Sequence, residues 1–313
     1  MANRRRIRAT NLRELMARAM LGHSAGYVAA SWTVSRWLTR RAPVRMNRTP
    51  AMYGLAWEPL ILKTEDDIRL AGWLVEPAAP RGTVALFHGM RGSRLKMLDR
   101  LAFLVGEGYR CVSFDHRAHG KSRGRRASFG FFEGRDVVAI RELIRQRWPD
   151  QPTAALGVSM GAAALCYASN RVHDWHAVIL EGVYRDLDAA FRRRIGSNYP
   201  TWFTRLSPGI VRITEKRLRL RMEQMAPIDY VSGLAPTPVL FLVGENDPLA
   251  PPGDSQQMYW RYPGPRELWV VPGAGHSDVF ETGGEEYRKR VREFLQKMEH
   301  RLRDCANPQA MRE

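Results

Sequence analysis

The residues best able to do chemistry fall in four short stretches. Gly157-Val158-Ser159-Met160-Gly161 follows a short apolar run and precedes an alanine-rich segment. A serine between two glycines at a strand-to-helix junction can hold its Oγ exposed on a strained turn. Gly157 and Gly161 suit such a turn because a Cβ at either would crowd the neighbouring strand and helix. A serine hydroxyl is a weak nucleophile, so it needs a base, and the base needs an orienting acid. Further along lie Val243-Gly244-Glu245-Asn246-Asp247-Pro248-Leu249-Ala250-Pro251 and Pro272-Gly273-Ala274-Gly275-His276-Ser277-Asp278. With the chain order serine, acid, histidine, Ser159 is the candidate nucleophile, Asp247 the acid and His276 the base. Glu245 and Asp278 could take the place of Asp247.

The fourth stretch is Phe87-His88-Gly89-Met90-Arg91-Gly92-Ser93. Acyl transfer needs two N–H donors where a carbonyl oxygen becomes an oxyanion. The main-chain amides of Met160, directly after the serine, and Met90, beside Gly89, are the expected pair. Because they donate from the main chain, their side chains are unconstrained. His88 reads as a structural turn residue. Asp115, in the polar loop Phe114-Asp115-His116-Arg117-Ala118-His119-Gly120, precedes the serine and is expected to fix that loop. Glu133 and Asp136 are expected to cap the helix they open and to complement its dipole. No histidine or carboxylate spacing points to a metal, and no Gly-x-Gly-x-x-Gly follows the first strands, which disfavours dinucleotide binding.

These residues need a frame. The stretch Leu60–Leu74 reads as a hairpin turning at the acidic cluster Glu65-Asp66-Asp67. Short, continuous apolar runs follow at Thr83–Phe87, Cys111–Phe114, Thr153–Leu156, Val178–Leu180, Val239–Val243 and Leu268–Val271. Such runs predict strands buried on both faces, as in a parallel sheet. Helical patterns separate them at Leu95–Glu107, Phe132–Trp148 and Met160–Ala168, and a last one covers Glu285–Leu302. The alternation predicts an α/β architecture with a doubly wound, mostly parallel sheet. Residues 51–303 make the main domain, residues 304–313 a patternless tail. About fifty residues without a strand run, roughly 184–235, are too long for a plain loop. That stretch, aromatic and arginine-rich, is expected to be a helical cap over the site.

Residues 1–50 differ from the rest, with eleven arginines against the single acid Glu14. The uncharged segment Ala19–Ser35 is short and polar for a membrane span, and an amphipathic helix on an anionic membrane fits its composition better. A packing helix and a true span stay open. Thr39–Pro50 reads as a linker. The whole chain carries a formal net charge of +17, which favours anionic partners. No nucleic-acid reader motif accompanies that charge. Three scattered cysteines, Cys111, Cys166 and Cys305, suit a reducing compartment rather than a disulfide framework. The expectation is a cytoplasmic chain, peripheral at the inner face of the membrane.

From Trp57 to about Leu302 the chain resembles the α/β-hydrolase superfamily, and within it bacterial serine hydrolases of esterase or lipase type. The resemblance rests on Thr64-Glu65-Asp66-Asp67, His88-Gly89, the Asp115–Gly120 loop, Gly157–Gly161, Asp247 and Gly275-His276, in that order. Relatives often carry Asp-Gly at the hairpin and Arg-Gly-His-Gly in the loop; here Asp66-Asp67 and Arg117-Ala118-His119-Gly120 stand instead. The resemblance implies hydrolysis of carboxylic ester or related acyl bonds, without a cofactor, on small-molecule acyl esters. Thioester and amide bonds remain open. A non-catalytic protein that keeps the fold to bind a membrane or partner is the competing reading.

Overall fold

The computed structural model describes residues 25–198 and 206–306. Residues 19–24 of the uncharged segment, the cap aromatics Tyr199, Trp202 and Phe203, and tail residues 307–313 lie outside them. The expected hairpin forms: β1 (Glu58–Lys63) pairs antiparallel with β2 (Arg69–Val75) across the acidic turn. Then β3 (Thr83–Phe87), β4 (Arg110–Phe114), β5 (Thr153–Val158), β6 (Ala177–Glu181), β7 (Val239–Gly244) and β8 (Arg266–Val271) follow, each within two residues of the expected apolar run. They build one eight-stranded sheet in the order β1-β2-β4-β3-β5-β6-β7-β8, parallel from β4 to β8.

Helices cover both faces, which is why β3 to β7 are buried along almost their whole length rather than on alternate residues. On one face α2 (Leu98–Gly106) and α8 (Val279–Ala306) pack Leu101, Leu104, Val291, Phe294 and Leu295 against Val84, Leu86 and Leu156. On the other, α3 (Gly134–Arg147), α4 (Met160–Ala168) and α7 (Pro252–Arg261) bury Val137, Ile140, Leu165 and Met258 against Ala85, Phe87 and Phe241. The short α7, between β7 and β8, went unread in the sequence: its Gln-rich, Pro-initiated run carries few apolar residues. The last helix begins earlier than its pattern, because Gly284 (φ 53°) breaks it and joins two pieces.

Between β6 and β7 lie α5 (Leu187–Asn198) and α6 (Ser207–Leu218). Ahead of the sheet, residues 25–39 form a helix, α1, whose Ser31, Ser35 and Thr39 are fully buried at four-residue spacing. Small side chains there let α1 and α6 cross closely: a Cβ on Gly209 would stand 2.5 Å from Ser31 Oγ. Thr214 Oγ1 donates to Ser35 Oγ at 2.9 Å, and the Gly209 N–H to Tyr27 Oη, also at 2.9 Å. The stretch read as a linker is pinned as well, with Arg40 bridging to Arg126 and Ala42 to His119. Among the described residues no helix is long and apolar enough to cross a membrane.

Strand order reverses beside β3, since β4 lies on one side of it and β5 on the other. Loops leaving the carboxyl ends of β3 and β5 therefore diverge and leave a crevice. At the end of β6, buried Glu181 accepts hydrogen bonds from Arg100 Nε of α2 at 3.0 Å and from Tyr287 Oη of α8 at 2.8 Å. The main-chain carbonyl of the same residue accepts the Ser159 N–H at 2.8 Å. Removing one member of a buried ion pair leaves the other charge without compensation. Glu181→Ala should therefore lower the unfolding free energy by about 3–5 kcal/mol. Urea denaturation reads it, and a loss near zero would mean that water reaches Arg100.

Candidate active site

Ser159 sits between β5 and α4 with φ 52° and ψ −111°, a left-handed conformation that a non-glycine residue adopts only under constraint. The constraint is packing. A Cβ on Gly161 would stand 2.2 Å from the Phe87 carbonyl, and one on Gly157 2.6 Å from the Ala162 nitrogen. Both neighbours of the turn must be glycine for α4 to start this close to β3. The turn leaves Ser159 Oγ 2.9 Å from His276 Nε2.

His276 is delivered by the loop after β8. Its Nδ1 lies 2.7 Å from Asp247 Oδ2, and Asp247 Oδ1 accepts the Leu249 and Ala250 N–H groups at 2.8 and 2.9 Å. Asp247 is buried and its carboxylate is fully engaged. The two alternative acids serve the loop instead: Glu245 accepts from the Gly273 N–H at 2.8 Å and Asp278 from the Gly275 N–H at 2.7 Å. The three candidate residues thus form one hydrogen-bonded chain, from carboxylate to imidazole to hydroxyl.

Met160 opens α4, where no preceding carbonyl of the helix is available to its N–H. Met90 occupies the second position of a turn closed by the Gly92 N–H on the Gly89 carbonyl at 3.1 Å, so its own N–H stays outside that bond. Both residues line the same cavity as Ser159 and His276.

Beneath these loops lies a layer of buried imidazoles. His88 Nδ1 donates to the Gly89 carbonyl at 2.8 Å and its Nε2 accepts the His116 N–H at 3.0 Å. His119 was missed. Its Nδ1 donates to the Arg117 carbonyl and its Nε2 accepts the Arg91 N–H at 3.1 Å, so it holds the residue next to Met90. The available signal was three of the chain's eight histidines in two post-strand loops. Burial, with His116 and His119 close by, holds the His88 imidazole well below its ordinary range. Burial also lowers His119.

Asp115 fixes its loop by accepting the Arg94 and Lys121 N–H groups, both at 2.8 Å. Glu133 and Asp136 stand at the start of α3, where acids complement its dipole, but the capping part of the expectation fails. Neither caps α3; Glu133 accepts from the Ser128 and Gly130 N–H groups, and Asp136 from the Arg117 main chain and guanidinium. The loops they tie down lie closer to their carboxylates than the helix's own amides do.

The cavity above Ser159 measures about 450 Å³. Its walls are mostly apolar: Leu187, Ala190 and Phe191 from α5, Phe129 and Tyr184 from adjoining loops, and Val34, Trp37 and Leu38 from α1. The α1 wall was not foreseen, because nothing in residues 25–39 marks them as facing a site more than a hundred positions away in the chain.

A family model described as serine aminopeptidase, S33, matches residues 78–232. The uncharacterized protein YqkD of Bacillus subtilis is 26% identical over 234 residues, 73% of this chain and 76% of that one. The uncharacterized membrane protein YNL320W of Saccharomyces cerevisiae is 25% identical over 255 residues, 79% of this chain and 82% of that one. Among solved structures, the esterase Pf2001 of Pyrococcus furiosus superposes with a TM-score of 0.72 at 25% identity, covering 83% of this chain and 98% of that one. The chain belongs to the α/β-hydrolase superfamily. The family match and the esterase neighbours make it a hydrolase. The hydrolase's α1 precedes the region that the family model matches.

The neutral imidazole of His119 has a measurable consequence. An unfolded histidine takes up a proton near pH 6.5, while the folded one resists it. Between the two pKa values the unfolded state binds more protons, so stability rises with pH. The contribution is complete above the unfolded value and is lost as pH falls toward the folded one. Urea midpoints should therefore fall between pH 7 and pH 5, and less steeply in His119→Gln. Its amide oxygen can stand where Nε2 accepts, and it does not titrate. Equal slopes in the two proteins would refute the assignment.

Proposed function

We propose that this hydrolase is a serine carboxylesterase in which Ser159, His276 and Asp247 act as nucleophile, base and orienting acid. The observation that carries the reading is the hydrogen-bonded chain from Asp247 through His276 to Ser159 Oγ, at 2.7 and 2.9 Å. Ser159 Oγ attacks the ester carbonyl carbon while its proton passes to His276 Nε2. The carbonyl oxygen becomes an oxyanion that the Met90 and Met160 N–H groups receive. Collapse breaks the bond to the alcohol, which takes the proton from His276 and leaves. Water, activated by the same imidazole, then attacks the acyl-enzyme and regenerates Ser159. Asp247 keeps the proton on Nδ1, so that Nε2 can accept, and stabilises the imidazolium that forms.

The apolar walls support a neutral acyl chain, and esters are proposed ahead of amides, which would bring a more polar substrate into the cavity. The substrate is thus a small-molecule acyl ester. The arginine-rich residues 1–50 support a cytoplasmic placement at the inner face of a membrane. A non-catalytic scaffold is disfavoured, because the packing that strains position 159 requires neither a serine there nor a carboxylate-oriented imidazole aligned on it.

A panel of p-nitrophenyl esters tests the reading. Ser159→Ala should lower kcat on the order of 10⁶-fold and Asp247→Asn about 10⁴-fold. A fluorophosphonate should label Ser159 in the wild type. A folded wild-type protein that neither labels nor hydrolyses any of the panel would leave the scaffold reading standing. The acyl site is tested by Leu38→Trp, which fills one wall. The ratio of kcat/KM for octanoate over acetate should then drop about tenfold, and an unchanged ratio would place the acyl chain elsewhere.

A further inference from the structure

Helix α1 has a third side, turned outward and bordering the cavity. At 3.6 residues per turn, Ala29, Thr33, Arg36 and Arg40 lie between Trp32 and Trp37 on its outward arc, and Val28 lies beside it, one turn before Trp32. Tyr27, Val28, Trp32 and Trp37 are 37%, 56%, 45% and 40% exposed, and they are four of the eight large apolar side chains most exposed among the described residues. One helix holds half of them. Such clustering, unlike scattered surface apolar residues, marks a surface that meets something.

The charges around it are of one sign. Residues 25–50 hold five arginines and no acid. The Arg36 guanidinium lies 5.5 Å from the Trp32 ring centre, and that of Arg91 lies 4.2 Å from the Trp37 ring while donating to the Trp37 carbonyl at 3.1 Å. Arg217 of α6 lies on the same Trp32 ring, at 5.8 Å. Burial and the neighbouring Arg40 lower the Arg91 pKa, and burial, Arg126 and Arg36 lower that of Arg217, so these cations repel one another. An anion brought to this face would relieve that repulsion.

Tryptophans with arginines on one helix face are the composition of an interfacial helix, with ring bodies in the acyl boundary and cations at the head groups. Trp37, Thr33 and Arg91 also line the cavity over Ser159. We infer that the outward face of α1, with Val28, Trp32, Trp37, Arg36, Arg40 and Arg91, docks on an anionic lipid surface and opens the acyl cavity onto it. Docking in this pose lets an ester chain pass from the lipid into the cavity without crossing water. A second copy of the chain is a poor occupant, because it would bring the same arginines. Nucleic acid would satisfy the charge but not the apolar Val28 or the continuity with an acyl cavity.

The substrate route rests on the esterase reading, but the docking itself does not, so binding is measured on Ser159→Ala as well as on the wild type. Flotation is compared for vesicles of phosphatidylcholine alone and with phosphatidylglycerol, at low and high salt. Both proteins should float with the anionic vesicles at low salt and be released by salt. In a Trp32→Ser, Arg36→Glu, Arg40→Glu protein the apparent affinity should fall at least about tenfold. Hydrolysis of soluble p-nitrophenyl acetate should stay at the wild-type rate, which also reports that the variant is folded. Trp32→Ser alone should weaken flotation measurably. No preference for anionic vesicles overturns the inference, and so does flotation of the triple variant at wild-type affinity. It is equally overturned if Trp32→Ser floats unchanged and single-stranded DNA displaces the protein from vesicles, for the face is then a general polyanion site. Absent hydrolysis with intact flotation would count against the esterase reading alone.

Discussion

The close approach of α4 to the end of β3 sets every other distance at the site. Gly161 lies so near the Phe87 carbonyl that not even a methyl group fits between them. With α4 drawn in that far, the chain can leave β5 only through a left-handed residue, and Ser159 is that residue. A non-glycine residue held there costs about 1–3 kcal/mol. The cost is met by the core on both sides of the turn: β5 is buried between neighbouring strands, and Met160 through Cys166 are almost wholly excluded from solvent. The same approach brings the amides of Met90 and Met160 to one cavity, because their loops leave adjacent strands at the same level. Exposure of the Ser159 hydroxyl and placement of the two amides are therefore one geometric fact rather than two.

Such a site needs loops that do not drift, and here buried polar side chains hold them. His88 and His119 each donate through Nδ1 to a carbonyl and accept an amide through Nε2. Each tautomer is set by its carbonyl acceptor, and each pattern requires a neutral ring. Arg117 carries the lattice outward, reaching Asp136 at 2.8 Å and Asp66 of the hairpin turn at 2.6 Å. Although partial burial would raise it, hydrogen bonds from Arg117 and Thr64 keep the Asp66 carboxyl below the usual range. Asp66 is more than a turn former. The hairpin at the sheet edge is braced, through the Asp66–Arg117 ion pair, against the loop whose His119 holds Arg91 beside Met90.

Strand runs were legible because their signal is local: five or six apolar residues between Gly, Pro or polar stops admit few other readings. Ser159, His276 and Asp247 were legible by order along the chain, yet Asp247 could be told from Glu245 and Asp278 only by where each carboxylate points. Contacts between distant segments stayed hidden. His119 holds Arg91 from 28 positions away, and Leu38 walls a cavity whose serine is 121 positions on. Helix α7 was missed for the opposite reason. Its short run holds few apolar residues, and it folds because Met258 and the following Tyr262 reach the core.

Charge is where composition alone misleads. A net charge of +17 suggests a uniformly cationic surface, but Arg94, Arg100, Arg110, Arg117 and Arg141 are buried and each is paired with an acid. Those arginines act inside the fold, and salt in solution would scarcely touch them. What remains for long-range attraction is the excess outside, and its arrangement matters more than its sum. Around α1 the cations face one another across tryptophan rings rather than across carboxylates. Guanidinium groups tolerate that position because they are weakly hydrated and stack on aromatic faces, which lysine does less well. A surface built so keeps its charge available while exposing apolar area beside it, and that area borders the cavity over Ser159. The N-terminal helix therefore belongs to the site as much as the strands do: it supplies a wall on one side and a charged, aromatic approach on the other.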